Sequence, residues 1–275
     1  MAITPKSPVD IPNTTGIITP ITEPTTSLNN ARIGYNNLLT VAPTPADGKM
    51  LTANTYERYP IQSGSSSVLF ELSTPSEISF IGFAGHNLSY KEGVTVEVKY
   101  STSVGGALTS IYTNTFGNDD ALMVLLDGMT GIVVTEIQII FTISAFGARI
   151  GVFSVGQVLE MQRSIYGGHS PADLSLKTSY QSTESESGNF LGRTVTRRGT
   201  ATSFSWKHLS PDWYRDNFQP FVKSAVEKPF FITWKPSIYP LVTSYGFTEG
   251  DIKPSNMGGG SDLMAVSFNF KGHSD

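Results

Sequence analysis

Cysteine is absent from the 275 residues. That removes disulfides, thiolate metal sites, iron–sulfur clusters and cysteine nucleophiles, and leaves burial and assembly to hold the structure. Charge is scarce as well: 15% of the residues are Asp, Glu, Lys or Arg, against about 25% in an average domain. The 19 basic and 23 acidic side chains give a net charge of −4, so no global positive field gathers phosphates, and nucleic acid is not an expected partner. No apolar run approaches the ~18 residues of a bilayer helix. The start MAITPKSPVDIP lacks the basic and apolar regions of a secretory signal. Neither a membrane span nor general secretory export is therefore expected.

Catalytic motifs are also missing. The four histidines stand at 86, 169, 208 and 273, too far apart for a helical ligand pair, and no HExxH, GxGxxG or GxxxxGK[ST] occurs. Gly258-Gly-Gly-Ser261 has no lysine behind it. No metal, no cofactor and no catalytic residue is expected, and the chain reads as a non-enzyme. What is abundant is hydroxyl: 32 Ser and 29 Thr. A subunit whose faces are covered by neighbours can dispense with solubilising charge; a Ser/Thr-rich β protein with neutral loops fits the same composition equally well.

Residues 1–30 carry prolines at 5, 8, 12, 20 and 24 among Thr and Ser, which resists helix and predicts an extended arm. Period-two patterns follow at Val68–Leu72, Ile78–Gly82, Val94–Tyr100, Ile132–Ile143 and Ile150–Met161, separated by turn residues such as Gly105-Gly106 and Asp127-Gly128. This predicts a β-sandwich over 31–162. Charge changes sign beyond it: residues 1–162 carry −6, residues 163–235 carry +4 and the remainder −2. Trp206, Trp213 and Trp234 all fall in the basic stretch, which predicts a smaller α+β module over 163–275. In that module 199–209 reads as a strand, Ser210 as the cap of a helix starting at Pro211, Pro220 as a break in it and Pro229 as its stop. Phe230–Trp234, Val242–Phe247 and Leu263–Phe270 supply further strands.

Each candidate site competes with a bland alternative. Gly151-Val-Phe-Ser-Val-Gly156 is one residue too long for a nucleophile elbow and reads as a buried strand. Asn118, Asp119 and Asp120 could hold calcium, but a turn explains them more simply. Arg193, Arg197, Arg198 and Lys207 form the densest basic patch beside Phe190, Phe204 and Trp206. The alternation puts Phe204 and Trp206 on one strand face, so a core, with the basic residues as a protein-facing salt-bridge surface or a solvated face, outweighs a nucleic-acid groove. Ala84-Gly-His-Asn-Leu88 closes a strand, and His86, Asn87 and Tyr90 could meet sugar hydroxyls or simply satisfy their own turn.

The runs Ile78-Ser-Phe-Ile-Gly-Phe-Ala-Gly-His-Asn-Leu88, Val94-Thr-Val-Glu-Val-Lys-Tyr-Ser101 and Ala148-Arg-Ile-Gly-Val-Phe-Ser-Val-Gly-Gln-Val-Leu159 resemble the galactose-binding-like jelly rolls embedded in tailed-bacteriophage virion proteins. Met161-Gln-Arg-Ser-Ile-Tyr-Gly-Gly-His-Ser-Pro171, Glu184–Arg193, Pro211-Asp-Trp-Tyr214 and Pro229–Pro236 resemble the second half of the same proteins. The resemblance implies a mainly β structural subunit of the virion tail, assembled in the host cytoplasm. The nearest role is the distal-tail protein that forms a ring between tail tube and baseplate, a homo-oligomer such as a hexamer contacting other tail proteins. Arg163, Tyr166, Arg193, Arg197 and Arg198 are the candidate interface residues. Two readings stay open beside it. One is a virion adhesin that binds host glycan through His86, Asn87 and Tyr90; the other is a capsid decoration protein.

Overall fold

A computed structural model describes residues 30–273 apart from 42, 92, 145, 172–173 and 259–261. The Pro/Thr-rich arm and most of Gly258–Ser261 lie outside the described residues. The alternating stretches form strands because every second side chain can leave water against a neighbouring sheet. In chain order they are β1 (Arg32–Tyr35), β2 (Leu39–Val41), β3 (Tyr59–Pro60), β4 (Gly64–Glu77), β5 (Phe80–His86), β6 (Thr95–Ser101), β7 (Thr109–Thr115) and β8 (Leu122–Leu125). They continue with β9 (Val133–Ile143), β10 (Arg149–Glu160), β11 (Ser179–Glu184), β12 (Phe190–Arg197), β13 (Thr200–Leu209), β14 (Phe230–Thr233), β15 (Thr243–Asn256) and β16 (Met264–Gly272).

The fold is mainly β. A five-stranded sheet, β2-β4-β9-β6-β7, faces one end of a nine-stranded sheet ordered β13-β16-β15-β14-β1-β10-β5-β8, with β3 beside β10. The jelly-roll sandwich lies between them. Its core joins Phe70, Val98, Ile139 and Phe141 of the small sheet to Ile81, Phe83, Phe153 and Val155 of the large one, with Phe70 and Phe153 ring centroids 6.0 Å apart. β5 is buried at every position, because the large sheet curls until Phe231 of β14 lies across Gly82 of β5. A Cβ at Gly82 would come 2.5 Å from that ring. Gly151-Val-Phe-Ser-Val-Gly156 lies within β10, with Ser154 buried.

The smaller α+β part has its own core, but apart from the β11–β12 hairpin its strands belong to the large sheet. β1 pairs with β10 on one side and with β14 on the other, so the sheet passes through the boundary expected near residue 163. Ala31, Ile33, Leu159 and Met161 from the jelly-roll half pack with Phe204, Trp206, Phe221 and Phe268. One helical segment covers this core: α1 (Pro211–Trp213), a π-turn (Tyr214–Phe218) and α2 (Gln219–Ala225). Ser210 caps it, its Oγ accepting from the Trp213 N–H at 3.4 Å. Gln162, at the end of β10, clamps that cap. Its Oε1 accepts from the Ser210 N–H at 2.8 Å and its Nε2 donates to Ser210 Oγ at 3.1 Å. Pro220 has no N–H and its ring crowds the carbonyl four residues back, so the chain widens ahead of it. The Gln219 N–H accordingly reaches five residues back to the Tyr214 carbonyl.

Candidate functional site

Four loops meet at one end of the jelly roll, and strand exits decide where each side chain goes. β5 ends at His86 opposite Ile150 of β10. His86 is 1% exposed, packed edge-on to Phe116 at 5.2 Å, with Nδ1 accepting from the Leu88 N–H at 3.4 Å and Asp119 Oδ1 4.0 Å away. Asn87 bridges two loops: its Nδ2 donates to the Gly147 carbonyl at 3.1 Å and its Oδ1 accepts from the Arg149 N–H at 2.6 Å. The polar atoms expected to meet a sugar at these two positions therefore serve the fold. Burial removes His86 from any ligand, and backbone groups across the gap occupy both ends of the Asn87 amide. Asp119 likewise ties two loops together by accepting from the Ser89 N–H at 2.9 Å, and Asn118 donates to Asp120 at 2.9 Å. Among the described residues no three His, Asp or Glu side chains group as metal ligands.

Tyr90 does reach the surface, at 36% exposure, and two aromatics that no sequence pattern singles out join it: Tyr56 at 90% and Phe146 at 68%. Gly147, beside Phe146, has φ 123° and lies against the Tyr90 ring, where a Cβ would come within 3.0 Å. The Tyr56 loop is fixed to the same end because Tyr59 pairs with Ile150, Thr55 packs on Gly85 and Arg58 Nε donates to the Thr55 carbonyl at 3.2 Å. Three aromatic side chains are thus exposed: Tyr90 and Phe146 on loops joined through Asn87, and Tyr56 on a loop anchored to β10. Flat, exposed rings with few rotatable bonds suit ligands that present alternating C–H and O–H groups.

The candidate interface residues are spread over several elements. β11 and β12 form a two-stranded hairpin that joins neither large sheet. Arg193 stacks on Tyr180, with its guanidinium carbon 3.6 Å from the ring centroid, and Val195 pairs with Tyr180 on that face. Gln181 and Thr194 pair on the opposite face. Phe190 is 65% exposed near the tip. Arg197 ends β12 opposite Ser179, and Arg198 follows it, exposed. Arg163 and Tyr166 are exposed between β10 and the hairpin, with Lys207 Nζ 4.0 Å from the Tyr166 ring centroid. Phe204 and Trp206 are buried in the core, so of the three aromatics beside the basic residues only Phe190 reaches the surface.

No protein-family profile matches the chain, and comparison with curated proteins gives no match. Among solved structures it is similar to CpGH89CBM32-6 produced by Clostridium perfringens, at 17% identity and a TM-score of 0.36, over 44% of this chain and 99% of that one. It is similar to a pectin binding carbohydrate binding module at 14% identity and a TM-score of 0.34, over 45% of this chain and 92% of the other. The N-terminal domain of the single-strand break repair protein XRCC1 compares at 15% identity and 0.35, over 46% and 99%. These likenesses cover less than half of the chain and assign it no ligand. Among the described residues no helix is long and apolar enough to cross a membrane.

Proposed function

We propose that this protein is a non-enzymatic, carbohydrate-binding adhesin of a virion, with the loop end of the jelly roll as the sugar-facing surface. The observation that carries this reading is the outward presentation of Tyr90 and Phe146 on loops tied together by Asn87, with Tyr56 exposed on a loop that pairs with β10 through Tyr59. A sugar stacks its C–H face on such rings while its hydroxyls reach the exposed Asp120 and Arg149 alongside. The ligand set thus moves from His86 and Asn87 to the aromatics, with Tyr90 common to both. Glycan-array binding tests it: Tyr56→Ala and Phe146→Ala should each weaken binding about tenfold or more. Saturable glycan binding that both variants retain in full would count against this surface.

The β11–β12 hairpin favours a second reading, a structural subunit of a phage tail such as the distal-tail ring. An isolated two-stranded hairpin is marginal in water, and this one leaves Tyr180, Phe190, Leu191 and Val195 exposed. A partner seated on that face would complete it, and the −6 and +4 segments offer opposite charge for head-to-tail contact. Light scattering at rising concentration distinguishes the readings: a ring subunit self-associates, and a chain that stays monomeric throughout is no ring subunit.

A further inference from the structure

A groove of about 790 Å³ runs between the end of β10, β1 and the helical segment, well away from the aromatic loops. Its size falls in the ~300–1,000 Å³ range of small-molecule clefts. Trp213, half-buried, forms part of the wall, and Tyr35, Glu77, Gln157, Asp216 and Asn217 also line it. We infer that this groove is a second binding site, for a neutral, hydroxyl-rich ligand of the oligosaccharide class.

The chemistry of the lining selects that class. Its polar groups are the carboxylates of Glu77, Glu160 and Asp216 beside the Gln157 amide and the Tyr35 phenol, which donate as well as accept, and the Asn217 amide, whose Nδ2 donates to the Trp213 carbonyl at 3.3 Å. Carboxylates among groups that both donate and accept call for a ligand whose own groups do both, as sugar hydroxyls do. No Lys, Arg or His is among the described residues lining the groove. Arg32 beside it is 12% exposed and bound to Glu160 at 2.8 Å. Phosphates and uronates would therefore meet carboxylates with no cation to offset them. Trp213 supplies a flat apolar surface for the C–H side of a sugar ring.

The local backbone places these groups deliberately. Ser210 and Gln162 fix where the helical segment starts relative to β10. The π-turn then presents Asp216 and Asn217 at the groove, and such widened turns recur at functional sites. The floor comes from β1 and β10, central strands of the large sheet, so it is rigid.

The test uses the full chain titrated calorimetrically with cellohexaose, mannohexaose and xylohexaose, with oligogalacturonate and spermine as charged controls. At least one neutral hexasaccharide should bind. Trp213→Ala and the exposed, fold-neutral Asp216→Asn should each weaken that binding about tenfold or more, while Tyr56→Ala and Phe146→Ala leave this site intact. Two binding events, one removed by each pair of variants, would support both sites; a single event removed only by the groove variants would support the groove and overturn the loop-end reading. The inference fails if no neutral saccharide binds, if only spermine or oligogalacturonate binds, or if Asp216→Asn and Trp213→Ala leave every binding event unchanged.

Discussion

Single side chains at the jelly-roll end do structural work that their chemical type disguises. Asn87 spends a donor and an acceptor across the gap between β5 and β10, and each such bond is worth about 1 kcal/mol net. Asn87→Ala should therefore cost about 2 kcal/mol by urea unfolding, and Asn87→Asp, which keeps the acceptor, about half as much. Tyr112 is another case: burial against Phe83 pushes its phenol up to about 12 from the usual 10. The unfolded chain then ionises first as pH rises, so stability is intact below pH 10 and declines toward pH 12, at up to about 1.4 kcal/mol per pH unit. Tyr245 is raised further by its own burial and adds to the alkaline loss. Tyr112→Phe should flatten the decline by its own share, as read by chemical unfolding at each pH. The sequence shows the His86-Asn87 pair at a strand exit but cannot show that Arg149, sixty residues on, will claim the amide. Tyr56 and Phe146 leave no periodic mark because loop residues answer to no repeat.

Secondary-structure elements were legible where one face is buried and less so where both or neither are. β4 and β9 alternate in sequence and in burial, and Pro211, Pro220 and Pro229 set the start, break and stop of the helical segment. β5 reads as an apolar run because both its faces are covered, whereas β7, rich in Thr and Ser and largely exposed, gives no hydrophobic signal. The character of the break at Pro220 also escapes sequence reading, since kinks and π-turns both follow from a missing N–H. Pro220→Ala restores the donor, so the helix should return to α geometry and gain about 1 kcal/mol. That change would turn Asp216 and Asn217 about the axis, and any ligand held in the groove should bind less tightly. A calorimetric melt and the saccharide titration read the two effects separately. The β11–β12 hairpin carries the opposite expectation. It joins no other sheet, so replacing 179–197 with a short Gly-Ser linker should leave the unfolding free energy within about 0.5 kcal/mol while abolishing any self-association.

The two halves of the chain share one sheet and exchange core residues, so they should not separate cleanly. A fragment ending at 162 would bare Ile33, Leu159 and Met161, which pack against Phe204 and Phe221 in the intact chain, and would leave β1 without β14. At about 25 cal/mol per Å² of apolar surface, a few such side chains amount to several kcal/mol. The fragment should aggregate or melt well below the full chain, and the full chain should unfold in one transition rather than two. Composition and charge indicated two modules because each has its own aromatic core; what joins them is the β1 pairing, four residues whose partners, Gln157–Glu160 and Phe231–Thr233, belong to the two different halves. That pairing has a consequence for synthesis. As the polypeptide leaves the ribosome β1 can meet β10 once residue 160 is out, but its other edge stays bare until Thr233 arrives. For that interval every nascent copy shows its neighbours on the polysome an unfilled strand position.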